Sequence, residues 1–178
     1  MDLQPLRFPT PWPVPDRPRD RFDSIPVLGH FLRFVTELVI GSQYGNLKSD
    51  ISDQITRQLE QRDNSHETWP LQAEQQRVVQ ALRAAVCQEK GLDSLTIHPL
   101  DPAILLFWSS YDDLTPLIFS LALESEFQMP IHRDDLFEAI WGKDFAHNGE
   151  NVLQPPVTVE QLVDRCLTFL KKANCLGG

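Results

Sequence analysis

The sequence predicts an all-α protein, and three observations carry that reading. Apolar side chains recur at three- and four-residue steps in six separate segments, no stretch alternates apolar and polar residues as a half-buried strand would, and Pro or Gly punctuates the ends of the periodic segments. With 178 residues, 42% hydrophobic and 23% charged, the chain is long enough to bury one core, and two large catalytic lobes would not fit.

The first segment is an arm, residues 1–23. It holds six of the seven prolines that precede residue 27, half of the 14 in the chain. Each removes a backbone donor and fixes φ near −65°, so an extended, irregular path is expected, with Phe8 and Trp12 available as anchors on the domain. A polyproline ligand for another protein is the alternative use of Pro11–Pro15. Residues 24–62 read as a helical hairpin. Ser24 is a good N-cap and Leu28, Phe31, Leu32, Val35, Leu38 and Val39 form a wide apolar face. After the Gly41–Gly45 break, Leu47, Ile51, Ile55 and Leu59 repeat every four residues as one narrow stripe. Residues 63–70 lie in a polar stretch with almost no apolar anchor and serve as a linker.

Residues 71–178 form the main domain. A helix over 72–89 turns Val78, Val79, Leu82, Ala85 and Val86 inward and stops at Gly91. Residues 92–111, with Pro99, Pro102 and the Asp101-Pro102 pair, read as a long structured loop pinned by Ile97, Leu105, Phe107 and Trp108. The next helix covers 114–127, with Asp112 or Asp113 as cap, Pro116 tolerated in the first turn, and Leu117, Leu121 and Leu123 expected to supply burial. A short helix follows His132-Arg133-Asp134-Asp135 and runs through Trp141. Beyond the polar insertion 142–156, a last helix from Val159 to Lys172 carries Leu162, Val163, Cys166, Leu167 and Leu170 on one face.

Composition and motifs exclude several functions. A formal charge of −9 disfavours nucleic acid, because phosphate binding draws its affinity from clustered cations. The run from Ile25 to Ile40 is too short and too polar to span a bilayer, and nothing near Met1 reads as a secretory signal. Cys87, Cys166 and Cys175 form no CxxC pair, so reduced thiols and a cytoplasmic location are expected. The five histidines make no HExxH or ligand pair, and capping accounts for Asp112, Asp113, Asp134 and Asp135 better than a metal does. There is no GxSxG elbow, P-loop or dinucleotide fingerprint, and His132-Arg133-Asp134 matches the kinase catalytic loop in letters alone. The expectation is a non-catalytic chain without metal or cofactor.

The stretch Asp112 to Ile131 resembles the second helix of acyl carrier proteins, whose pattern runs Asp-Ser-Leu, a helix ending Ala-Leu-Glu-x-x-Phe, and an Ile four residues later. Ala122-Leu123-Glu124, Phe127 and Ile131 keep those spacings, and Thr158-Val159-x-x-Leu162-Val163 is similar to the family's entry into its last helix. The resemblance covers about 105 residues from Leu71. It implies a four-helix acyl-carrier-like bundle preceded by the Pro-rich arm and the hairpin. It also implies a degenerate one, because the serine that bears 4′-phosphopantetheine in the family is Asp113 here, and a carboxylate offers no hydroxyl to the phosphodiester. Ser109 and Ser110 lie too early and Ser120 too late.

The expected function is therefore protein interaction through Asp112, Asp113, Leu114, Ile118, Glu124 and Glu126, toward a partner with a basic or apolar docking surface. At three family positions that are usually acidic the chain has Ile118, Glu124 and Ser125, so only part of the acidic row remains. The alternative is a genuine acyl or peptidyl carrier using a shifted serine such as Ser110. A further expectation is that the hairpin covers Leu117, Ile118 and Phe119, since a helix apolar on several sides is usually interior.

Overall fold

The computed structural model describes residues 3–12, 45–62, 71–108, 114–142 and 157–176. The first hairpin helix, the linker 63–70, most of the insertion 142–156, and Ser109, Ser110, Asp112 and Asp113 lie outside the described residues. All regular structure among those described is helical: α1 over 45–60, α2 (Ala73–Lys90), α3 (Ala103–Phe107), α4 (Leu114–Phe127), α5 (Arg133–Trp141) and α6 (Val159–Leu176).

Three of these helices bury the stripe their periodicity predicts. In α1 the inward residues are Ile51, Ile55 and Leu59, with Leu47 packed at the edge of the core. In α2 they are Val78, Val79, Ala81, Leu82, Ala85 and Val86, and in α6 Val159, Leu162, Val163, Cys166, Leu167 and Leu170. The ends have local causes. Gln75 accepts the Gln72 N–H at the head of α2 (2.9 Å), and Gly91 closes it at φ 65°, a left-handed conformation that glycine adopts without a Cβ penalty. Thr158 and Gln161 exchange two bonds at the head of α6: Gln161 Oε1 accepts the Thr158 N–H (3.2 Å) and Thr158 Oγ1 accepts the Gln161 N–H (3.3 Å).

The connection from α2 to α4 contains α3, which periodicity does not reveal. All five residues of Ala-Ile-Leu-Leu-Phe are buried, so there is no polar side to mark a helical face. Phe107 ends α3 at the centre of an aromatic cluster. It meets Phe119 of α4 (5.4 Å between centroids) and Phe137 and Trp141 of α5 (5.8 and 5.2 Å), all near edge-to-face. Phe137 and Trp141 stack on each other at 5.0 Å.

A buried ion pair ties the body together. Arg62, just beyond α1, grips Asp101 with both terminal nitrogens (2.7 and 2.6 Å), and the two side chains are 6% and 0% exposed. Asp101 also accepts the Leu6 and His98 N–H groups (2.8 and 2.9 Å), and Arg62 donates to the Thr96 and Gln4 carbonyls (2.9 and 3.1 Å). The Asp101 carbonyl takes the Val159 N–H at the start of α6 (2.9 Å), beside an isolated bridge between Pro102 and Thr158. Asp101 thus joins the arm, α1 and the 95–101 loop through its carboxylate, and α6 through its main-chain carbonyl.

Removing either member of a buried pair leaves an uncompensated charge. Arg62→Met alone and Asp101→Asn alone should each cost about 3–5 kcal/mol of unfolding free energy, and the double variant clearly less than their sum. Urea denaturation of the four chains checks this; strictly additive losses would show that the pair is not coupled.

Candidate functional site

The segment that resembles the carrier recognition helix is α4, and its orientation follows from what it packs against. Thr115, Phe119, Ser120 and Leu123 face inward, with α2 as the principal neighbour and Phe107 against Phe119. Ile118 is half-buried at the edge of the core. Leu117 and Leu121, expected to be buried, are instead 40% and 53% exposed. The reason is geometric. With Thr115, Phe119 and Leu123 at four-residue steps fixing the inner face, positions 117 and 121 fall on the outer one. Phe107 meets the Phe119 ring, and the first helix of the hairpin expected to cover this region lies outside the described residues.

The other expected site residues take different positions. Leu114 opens the helix. Glu124 turns back to accept the Ile131 N–H (2.7 Å), closing the turn into α5, where Gln128 holds φ at 54° and Met129-Pro130 ends the helix. Glu126 forms a half-exposed pair with Arg77 at 3.7 Å, and Arg77 lies over the Phe127 ring at 4.1 Å. The carboxylate matching the carrier pattern at 124 thus serves a turn, and the one at 126 reaches a cation of α2. Ser120 is buried, and its hydroxyl donates to the Leu117 carbonyl (2.9 Å), so it presents no accessible oxygen for modification. No basic side chain occurs along α4.

At the approach to α4, Lys90 at the end of α2 donates to the Trp108 carbonyl (2.8 Å), holding the chain where α3 ends. Burial lowers this ammonium from 10.5 to about 8, with Glu89 opposing the shift. Lys48 sits over the Trp108 ring at 5.2 Å. Trp108 Nε1 and Thr115 Oγ1 are both buried without a hydrogen-bond partner. Burial raises the Cys166 thiol far above the usual range, and raises that of Cys87 against the opposing Arg83 charge, so both are poor nucleophiles. Among the described residues no three metal-ligating side chains are gathered together, and no helix is long and apolar enough to cross a membrane.

Comparison with protein-family models, with curated proteins and with solved structures finds no match to this chain. The sequence signal for the outward leucines was present but ambiguous: Leu117 and Leu121 are separated by four residues, as are Phe119 and Leu123, and the helix is apolar on both sides.

Lys90 provides a titratable check on the packing around Trp108. From about pH 8 to 10.5 the unfolded chain binds a proton that the folded chain has released, so this residue's cost, fully present below pH 8, is relieved as pH rises through that window. The gap corresponds to ~3 kcal/mol at most, reduced for Lys90→Met by the donor lost at Trp108. Lys90→Met should exceed the wild type in thermal stability at pH 7, and the difference should shrink between pH 8 and 10. A constant difference in melting temperature over that range would show that the ammonium is not desolvated.

Proposed function

We propose that this chain is a non-catalytic protein-interaction module, similar in design to an acyl carrier protein that has lost its phosphopantetheine site, and that it works in the cytoplasm. The order of its helices supports the reading: α2, a long connection, α4, a short α5, and α6. The Ala122-Leu123-Glu124, Phe127, Ile131 and Thr158-Val159 spacings support it too, and Asp113 stands where the modifiable serine would be.

The observation that carries the proposal is the pair Leu117 and Leu121, one turn apart on the outer side of α4. Two exposed leucines on adjacent turns form one apolar patch, which folding itself does not require. Around it the field is negative. Residues 68–178 contain eight Lys and Arg against fifteen Asp and Glu, while residues 1–67 contain eight against ten. The fitting partner is a protein surface with an apolar centre and a basic rim: the apolar contact supplies most of the affinity and the charges speed encounter. In this reading Glu126 belongs to the acidic rim, Ile118 borders the apolar patch and Glu124 fixes the turn beside it, while Asp112, Asp113 and Leu114 are proposed as further contact residues from their place in the sequence alone.

Two measurements test it. With the full-length chain as bait in extract of its own cells, Leu121→Asp should lose partners that the wild type recovers, provided the variant keeps the wild-type thermal transition. Glu126→Lys should instead slow association and flatten its salt dependence. Equal recovery by wild type and Leu121→Asp, or recovery of nothing, would remove the support for this face. Intact mass after coexpression with a broad phosphopantetheinyl transferase should show no added prosthetic arm, whereas an arm on Ser110 would establish the carrier reading instead.

A further inference from the structure

Residues 3–12 lie against the body with a regular period. Leu6 and Pro9 are buried and Leu3 and Trp12 half-buried, while Gln4, Pro5, Arg7, Phe8, Thr10 and Pro11 are exposed. Inward side chains therefore fall at 3, 6, 9 and 12, a regular three-residue step. The Thr10-Pro11 peptide bond is cis.

Four side chains of the body hold this segment, and every bond they make to it is to its main chain. Gln58 pairs with both edges of Arg7, accepting its N–H (2.8 Å) and donating to its carbonyl (3.0 Å). One turn earlier on α1, Gln54 does the same for Thr10, both bonds at 3.2 Å. Asp101 accepts the Leu6 N–H and Arg62 donates to the Gln4 carbonyl. At the far end Trp12 meets Trp108 edge-to-face at 5.2 Å, with Phe8 beside it at 5.3 Å. Hydrogen bonds of this kind are blind to side-chain identity, so selectivity resides in the inward residues: apolar, then Pro, then aromatic, three positions apart.

We infer that this groove is a receptor for an extended, proline-containing peptide, and that residues 3–12 are its own intramolecular ligand, seated reversibly. Two glutamines one helical turn apart, each satisfying the N–H and the C=O of one residue, form a site whose polar groups are matched to an extended backbone, as in other modes of extended-peptide recognition. The Gln54 and Gln58 bonds are solvent-exposed, so water competes for them and each contributes little net stability. The arm thus opens at a lower free energy than the helical body. Tethering favours the resident arm over a free competitor through its effective concentration. Opening uncovers Trp108 and the outer side of the Arg62–Asp101 pair. None of these residues belongs to the outer face of α4, so the inference stands or falls apart from the proposed function.

The test uses full-length chains and a fluorescent peptide spanning residues 3–12. The wild type should bind it weakly, Trp12→Ala and Leu6→Ala/Trp12→Ala at least tenfold more tightly, and adding Gln54→Ala/Gln58→Ala should reverse the gain. A peptide with Asp at the Leu6 and Trp12 positions should not bind. If the arm variants, with the wild-type circular dichroism, gain no affinity, or if the glutamines make no difference, the inference is overturned. Hydrogen exchange of the wild type gives an independent check. The Arg7 and Thr10 amides should exchange well before those of α2, and exchange only on global unfolding would make the arm a fixed structural element. A wild-type chain that light scattering shows to be a dimer, returned to monomer by Gln54→Ala/Gln58→Ala, would assign the arm to a second copy and overturn its intramolecular role.

Discussion

The Asp101 carboxylate accepts four N–H bonds inside the protein, two from Arg62 and one each from Leu6 and His98, and much of the described structure hangs on that convergence. Taking two charges out of water costs several kcal/mol each, and their attraction offsets this only where geometry is good and the remaining donors and acceptors are occupied. Here they are. The two guanidinium nitrogens reach both carboxylate oxygens, and their spare protons go to the Thr96 and Gln4 carbonyls. Such an arrangement tolerates little displacement, so the end of α1 and the 95–101 loop are held in one relation to each other, and the arm docks onto the pair through two main-chain bonds. The backbone of the same residue then sets α6, through the Val159 N–H.

From that clamp the geometry of the rest follows in steps. Asp101 is followed by Pro102, whose carbonyl accepts the Leu105 N–H within the tight turn of α3. The five apolar residues of α3 deliver Phe107 into contact with α4 and α5, while Lys90 fastens the Trp108 carbonyl to the end of α2. Phe119 packs against the edge of Phe107, and together with α2, the principal neighbour, this contact fixes which side of α4 is inner. Leu117 and Leu121 are on the outer side because a helix cannot turn residues 115, 119 and 123 inward together with 117 and 121.

Much of this was legible in the sequence, and its limits are physical. The stripes of α1, α2 and α6 stand out because each helix has one apolar side against a polar one, so period alone gives both the element and its face. The span of α4 was readable from Pro116 near its start and Met129-Pro130 after its end, but its face was not: with leucines, Ile118 and Phe119 on several sides, only tertiary contact selects the inner set. The short α3 escaped because a uniformly apolar pentapeptide has no period, and the Asp101-Pro102 pair before it reads as a turn. The Arg62–Asp101 pair escaped for a different reason. Its members are separated by 39 residues, and neither position departs from what a helix end or a turn ordinarily carries. Gln54 and Gln58 are ordinary polar residues beside the Ile51–Ile55 stripe, and nothing local marks a glutamine as the partner of a distant main-chain segment.

Glu124 shows why residue matching alone cannot assign an interaction surface. In the carrier pattern a carboxylate at that position belongs to the acidic docking row, yet here it accepts the Ile131 N–H, a bond to a charged acceptor of the kind that contributes more than a neutral one. Reversing its charge would therefore disturb the turn into α5 as well as the field around the helix, and a loss of binding on its mutation would not separate the two effects. Glu126 pairs with Arg77 across a half-exposed bridge that contributes little to stability, so reversing its charge removes that pair as well as changing the field. The outward leucines carry neither complication. Leu117 and Leu121 are open to solvent, so a polar residue at 121 removes apolar surface from the patch and leaves the Phe107–Phe119 contact intact. The apolar pair, rather than the acidic row, is where recognition by α4 is physically separable from its folding.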